Sequence, residues 1–196
     1  MKIVVVFPTR TEAQFFSHPK VAVELCGVGL TSAAYNTGKI IARHKPDWLI
    51  MAGIAGAYTH SPYKIGDTVL VASEREADLG FFTSTGFTHL ADLELDMDFT
   101  VARQLQCPYI PTSSLPVAHS NSMNAAMAPF INTADIDIEN MEGAAFFHVC
   151  LAERQKFLQV RSISNYVDIN GDDWDFLGSV KQLTEGLNKI IAQLLE

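Results

Sequence analysis

Basic charge is scarce in this chain and nowhere clustered. Its 196 residues hold 14 lysines and arginines against 22 acidic residues, a formal net charge of −8. Nucleic-acid binding draws on grouped cations facing phosphate, so this balance argues against a nucleic-acid partner. Cysteine is scarce too: Cys26, Cys107 and Cys150 lie far apart, with no C-x-x-C among them. That excludes a zinc ribbon and a disulfide framework, and it fits reduced thiols. The six histidines are scattered, so no metal site is expected. Long apolar runs are missing. Only five apolar residues separate Lys2 from Pro8, too few for a signal peptide. The stretch 48–58 is well short of a membrane span. These absences predict a soluble cytoplasmic protein with no membrane partner.

What the chain does have is 48% hydrophobic residues, dealt out in short runs. A chain of this length buries roughly 70% of its unfolded surface, enough for a full core without staples. Ile3–Phe7 and Val21–Leu25 read as strands, the first apolar throughout as in a parallel sheet. Residues 31–44 read as a helix ended by Pro46, and 48–52 and 68–73 as buried strands. Residues 77–86 read as irregular. Beyond them the pattern predicts helices at 97–104, 122–128 and 142–153, the last capped by Asn140, and short strands at 115–118, 135–138 and 157–164. Val180, Leu183, Leu187, Ile190, Ile191 and Leu194 keep helical spacing to the end. Strands alternating with helices predict a single α/β domain over 1–196, with a central mixed, largely parallel sheet flanked by helices. Ligands in such sheets sit beyond the carboxyl ends of the strands, which directs attention to the polar residues just after them.

Gly27-Val28-Gly29 lacks the third glycine of a dinucleotide fingerprint and follows the second strand, so a tight turn is the plainer reading. Gly53-Ile54-Ala55-Gly56 reads as a loop, either a structural turn or one whose Ala55 and Gly56 let a flat ligand lie on backbone. Glu142 opens a helix; it either serves the helix dipole or accepts from both hydroxyls of a ribose diol, with the Met141 thioether on the sugar's apolar face. Asn165 is either a turn residue or an amide presented to a purine edge. Glu12 is either a first-turn glutamate or a general base for water.

In that order and spacing, Glu12, the two glycine runs, Gly66-Asp67-Thr68, Met141-Glu142-Gly143-Ala144-Ala145 and Arg161-Ser162-Ile163-Ser164-Asn165 resemble the nucleoside phosphorylase/nucleosidase superfamily over nearly the whole chain. Glu74-Arg75-Glu76-Ala77-Asp78-Leu79-Gly80 and residues 165–174 look like the futalosine hydrolases, which remove hypoxanthine from futalosine on a route to menaquinone. The resemblance implies that Glu12 activates water, Glu142 holds the ribose hydroxyls, Met141 packs on the sugar, Ala55 and Gly56 form the base pocket, and Asn165 acts at the purine. It also implies a nucleoside as small-molecule substrate, no organic cofactor, and a homo-oligomer. Adenosine-type nucleosidases carry aspartate where Asn165 stands, and an amide suits a 6-oxopurine. Residues 168–173 are more acidic than the arginine-bearing loop of many futalosine hydrolases. A phosphorylase needs cations for phosphate. Met51 stands where 6-aminopurine phosphorylases carry arginine, although Arg10 lies close to Glu12, and the pattern favours water. Three readings stay open: a futalosine hydrolase, a methylthioadenosine/adenosylhomocysteine nucleosidase or purine nucleoside phosphorylase, and a non-catalytic nucleoside-binding protein. Phe81, Phe82 and Phe87 read either as a cover over the aromatic carboxylate tail of futalosine or as core or dimer contacts. Arg75 and His119 are the candidates to meet that carboxylate.

Overall fold

The computed structural model describes residues 1–94, 98, 100–112, 115–169, 171 and 173–196. In chain order the elements are β1 (Ile3–Phe7), α1 (Arg10–Ala13), β2 (Val21–Leu25), α2 (Leu30–His44), β3 (Trp48–Ala57), β4 (Thr68–Glu76), β5 (Gly80–Thr83), β6 (Gly86–His89), β7 (Leu105–Gln106), β8 (Val117–Ser122), β9 (Ile138–Asn140), α3 (Gly143–Ala152), β10 (Phe157–Tyr166) and α4 (Phe176–Leu195).

β1 is apolar and buried at all five positions because it runs between two parallel neighbours, β2 and β3. β3 is long enough to serve three partners. One edge pairs with β1 over its first half and with β9 at Gly56 and Ala57, while β10 runs parallel along the other edge. β10 also takes β4 in antiparallel pairing at residues 160–162. β4 pairs with β8, and β8 with β9. The circuit β3–β10–β4–β8–β9 therefore closes on itself, with β1 and β2 extending from β3 and β7 attached to β4. Both parallel and antiparallel pairs occur, and parallel pairs predominate in this sheet. Separately, β5 and β6 form a hairpin.

The helices cover the sheet with the residues their spacing predicts. α4 buries Val180, Leu183, Leu187, Ile190 and Ile191 against β10 and β3. α3 is apolar nearly all round; it packs on α2 and brings Phe146 and Phe147 against Phe157, at ring separations of 5.7 and 4.8 Å. All three cysteines are free and buried. Among the described residues, no helix is long and apolar enough to cross a membrane.

β1, β2, α2 and the start of β3 lie where sequence pattern puts them. Elsewhere the structure corrects it. Residues 53–56 are not a loop but the continuation of β3. Residues 80–89 are a hairpin instead of an irregular stretch. No helix spans 122–128: Ser122 ends β8, and Met127 takes φ +58°, outside the right-handed helical region. The strand expected at 135–138 begins only at Ile138, and Asp135, at its expected start, adopts φ +61°. Residues 100–104 are not helical, while Met97 and Phe99 lie outside the described residues.

Phe157 is fully buried between α3 and Tyr109. Phe157→Ala should cost about 3–5 kcal/mol, read as a lower denaturant midpoint at an unchanged m-value.

Candidate active site

A cavity of about 260 Å³ lies where the carboxyl ends of β1, β3 and β10 meet. Glu12, Ala55, Gly56, Met141, Glu142 and Asn165 all line it. Trp174 and Phe176, next to the start of α4, add aromatic wall.

Glu12 belongs to the single turn of α1. Its backbone N–H is capped by Thr9, and Thr9 Oγ1 donates back to Glu12 Oε2 at 2.6 Å. The Ile54 N–H donates to Oε1 at 3.2 Å. Burial pushes the Glu12 carboxyl above its ordinary range; the Thr9 bond, Arg161 and the Ile54 N–H oppose that shift, and the charge of Glu142 adds to it. A carboxylate with an elevated affinity for protons is suited to act as a base near neutral pH.

Beneath the cavity floor sits Arg161, 1% exposed. Its Nη1 donates to the Ile54 carbonyl at 3.0 Å and to Glu142 Oε2 at 3.2 Å. Its Nη2 donates to Asn140 Oδ1 at 3.0 Å and reaches Met51 Sδ at 3.3 Å. Glu142 Oε1 accepts from the Gly29 N–H at 3.3 Å. The carboxylate that faces the cavity is thus held from both sides, by a guanidinium and by the turn after β2.

Asn140 completes the arrangement. Its Oδ1 also accepts from the backbone N–H groups of Glu142 (2.8 Å) and Gly143 (2.7 Å), so it caps α3 from inside the sheet. Its amide nitrogen donates to Glu74 Oε1 at 2.8 Å. Glu74 is wholly buried and accepts as well from Gln159 (2.6 Å) and Ser122 (2.7 Å). Burial raises the Glu74 pKa, and those hydrogen bonds together with Arg161 oppose the rise.

The glycines of residues 53–56 make room for side chains more than for a ligand. A Cβ at Gly53 would fall 2.5 Å from Arg161 Nη1 and 3.0 Å from Glu12 Oε1. At Gly56 it would fall 2.9 Å from Val167 Cγ2 and 3.1 Å from Asn165 Nδ2. Asn165 sits past a register shift between Ile163 and Asn165 in β10, a bulge that turns the strand end toward the cavity. Ser164 Oγ donates to Asn165 Oδ1 at 2.8 Å, and Asn165 Nδ2 donates to the Tyr166 carbonyl at 3.0 Å. Among the described residues, that leaves one amide N–H and one lone pair for a ligand.

Residues 9–196 match the family model of the phosphorylase superfamily. The chain belongs to that superfamily. The futalosine hydrolase of Thermus thermophilus is 29% identical over 181 residues, covering 85% of this chain and 79% of that protein. The 5′-methylthioadenosine/S-adenosylhomocysteine nucleosidase of Maridesulfovibrio salexigens is 25% identical over 196 residues, covering 90% and 81%. The structure of futalosine hydrolase from Helicobacter pylori superposes with a TM-score of 0.76 over 98% of this chain and 97% of that one, at 17% identity, which places the fold.

In this phosphorylase-superfamily chain, several residues that organise the cavity carry no role in the sequence pattern. Arg161 enters it only as part of the run 161–165, and Glu74 as part of 74–80. Asn140 was legible as a helix cap but not as the ligand of a buried guanidinium. A lone charged residue inside an expected strand, with Val160 and Ile163 beside it, was the available signal, since such a residue is almost never buried unpaired. Arg10 is exposed and does not line the cavity, and His119 is exposed with Ser73 Oγ 2.7 Å from its Nδ1. None of Phe81, Phe82 and Phe87 lines this cavity.

Arg161→Met should cost about 3–5 kcal/mol by leaving Glu142 buried without its cation. Arg161→Met/Glu142→Gln should regain at least half of that loss in chemical denaturation; a double variant no more stable than the single would disprove the pairing.

Proposed function

We propose that this chain is a nucleosidase that hydrolyses the N-ribosidic bond of a 6-oxopurine nucleoside, futalosine foremost, releasing hypoxanthine. The observation that carries this reading is the convergence of Glu12, Glu142 and Asn165 on one cavity with no lysine or arginine among its described lining residues. Phosphorolysis calls for exposed cations to hold phosphate. Here Arg161 is taken up by Glu142 and Asn140, and Met51, standing where 6-aminopurine phosphorylases carry arginine, touches it.

The chemistry follows from the charges. Glycosyl transfer passes through an oxocarbenium-like state, and a wall rich in carboxylate stabilises positive charge growing on the sugar. Glu142 accepts from the two ribose hydroxyls, with Met141 against the ring. Glu12 takes a proton from the water attacking the anomeric carbon. Asn165 cannot serve as an acid at neutral pH. Its free N–H donates to the 6-oxo oxygen, and its carbonyl accepts from nitrogen-7 of the departing base once solvent has protonated it, the count closing when Glu12 returns the water's proton to solvent. The identities with methylthioadenosine/adenosylhomocysteine nucleosidases support a second reading, an adenine nucleoside as substrate.

Assay of the free base released from futalosine, aminofutalosine, methylthioadenosine and inosine, with and without phosphate, separates these readings. We expect hypoxanthine from futalosine without phosphate; adenine as the preferred product, or a strict need for phosphate, would overturn the assignment. Asn165→Ala should lose about 3 kcal/mol of transition-state stabilisation, a fall in kcat of about 10²–10³. Glu12→Gln should lower kcat by about 10²–10⁴. The raised pKa of Glu12 places the acid limb of the wild-type profile above 4.5, with rate lost as pH falls and the base takes up its proton. An acid limb unchanged in Glu12→Gln would remove Glu12 from the mechanism.

A further inference from the structure

Glu142 stands at the N-cap position of α3, where a carboxylate is drawn onto the unpaired N–H groups of the first turn. It makes no such bond. Its oxygens accept from the Gly29 N–H and from Arg161, and the residue lines the cavity. Other side chains take the N–H groups that it leaves. Asn140 Oδ1, from β9, accepts from Glu142 and Gly143. Ser122 Oγ, at the end of β8, accepts from Ala144 at 2.9 Å.

Both of these substitute caps hang from one carboxylate. Asn140 Nδ2 donates to Glu74 Oε1 at 2.8 Å, and Ser122 Oγ donates to Glu74 Oε2 at 2.7 Å. Gln159 Nε2 adds a third bond, to Oε1 at 2.6 Å. Glu74 lies on β4, fully buried, and is not among the described residues that line the cavity. The helix start is shaped to admit it, since a Cβ at Gly143 would overlap Glu74 Oε1. Without that carboxylate, the Asn140 amide and the Ser122 hydroxyl would each lose an acceptor in a dry interior. The hydroxyl would then turn its proton to Asn140 Oδ1, 3.2 Å away. That oxygen already takes three donors: the Glu142 and Gly143 N–H groups and Arg161 Nη2.

We propose that Glu74 is the positioning residue for Glu142. It holds Asn140 and Ser122 on the first turn of α3, and so keeps that turn from competing with a ribose diol for the Glu142 carboxylate. The ribose half of this inference rests on the nucleosidase reading above; the capping half does not. A carboxamide at position 74 can serve as well. Its oxygen accepts from Asn140 and Gln159, and its nitrogen donates to the second lone pair of Ser122 Oγ. A thioether of similar length cannot take all three donors. Glu74→Met is therefore the disabling variant, and Glu74→Gln the conservative one.

Two measurements on the whole chain test the proposal. Amide hydrogen exchange reads the capping. Gly143 and Ala144 should exchange about tenfold faster or more in Glu74→Met, and within about threefold of wild type in Glu74→Gln, with the β1 amides unchanged in both. Should Glu74→Met fail to fold, Glu74→Asp, which keeps the charge but is one methylene short of both caps, is read in the same way. Unchanged exchange at the helix start, or a loss shared equally with β1, would overturn the proposal. Kinetics read the consequence for the sugar. The preference in kcat/KM for futalosine over its 2′-deoxy analogue should fall by about tenfold or more in Glu74→Met, and stay within about threefold in Glu74→Gln. An equal loss on both substrates, which a purely structural residue would give, would overturn the positioning role. A wild-type chain that cleaves neither substrate refutes the nucleosidase reading instead, and exchange then decides the capping role of Glu74.

Discussion

Everything at this site depends on one buried guanidinium. Arg161 is removed from water on a strand between β3 and β4, and such burial is tolerable only where geometry returns what desolvation takes. Two carbonyl-type acceptors and the Glu142 carboxylate meet its terminal nitrogens, and its Nε has no partner among the described residues. Those contacts dictate their neighbours. Position 53 must be glycine because a methyl group would collide with Nη1. Asn140 must present its oxygen toward the guanidinium and its nitrogen toward Glu74, which fixes the amide and with it the first turn of α3. Glu142, at the head of that turn, inherits its position from both.

The same arrangement opposes stability to chemistry. Glu12, Glu74 and Glu142 surround one arginine, so the region carries more negative than positive charge when all are ionised. Glu12 and Glu74 have raised folded-state pKa values, which means that the folded chain binds these protons more tightly than the unfolded chain does. Stability from that source is present at low pH and is lost as pH rises from about 4.5 through the folded values. A site that held only neutral groups would be easier to bury. It would also lack the negative field that an oxocarbenium-like sugar needs, so the charge imbalance that burdens the fold is the one the proposed reaction uses.

Local pattern was enough for the elements whose burial is uniform. β1 and β2 have the limits that apolar content alone suggests, and α4 follows from its heptad-like spacing. Pattern misjudged residues 53–56, because two glycines in four residues look like a turn when their partners are unseen; the partners are Arg161, Glu12 and Asn165, distant in sequence. It misjudged 122–128 for the related reason that a left-handed residue, Met127, serves a tertiary purpose there, with its N–H donated to Glu139. The closing of the sheet through β10 is a pairing between segments about 90 and 110 residues apart, and nothing local encodes it. Individual site residues were legible as types at strand ends. Their joint geometry was not, because it resides in Arg161, Asn140 and Glu74 beneath them.

Asn165 shows how a strand end becomes a selective contact. An unrestrained amide can present either its oxygen or its nitrogen to a ligand, and so discriminates poorly. Here Ser164, the residue before it, donates to the oxygen, while the nitrogen is anchored on the Tyr166 carbonyl. Swapping the two ends would set the amide nitrogen against the Ser164 hydroxyl and oxygen against the oxygen of Tyr166, an unfavourable contact in a site 4% exposed. The orientation is therefore fixed by the protein's own contacts. An aspartate in the same place would set a carboxylate oxygen against the Tyr166 carbonyl, and holding it there would take a proton on that oxygen, engaged by the carbonyl. Exchanging an amide nitrogen for an oxygen at this position thus separates a side chain that the protein orients without a proton from one that needs a proton to be held, and the bulge in β10 is what brings that atom to the cavity.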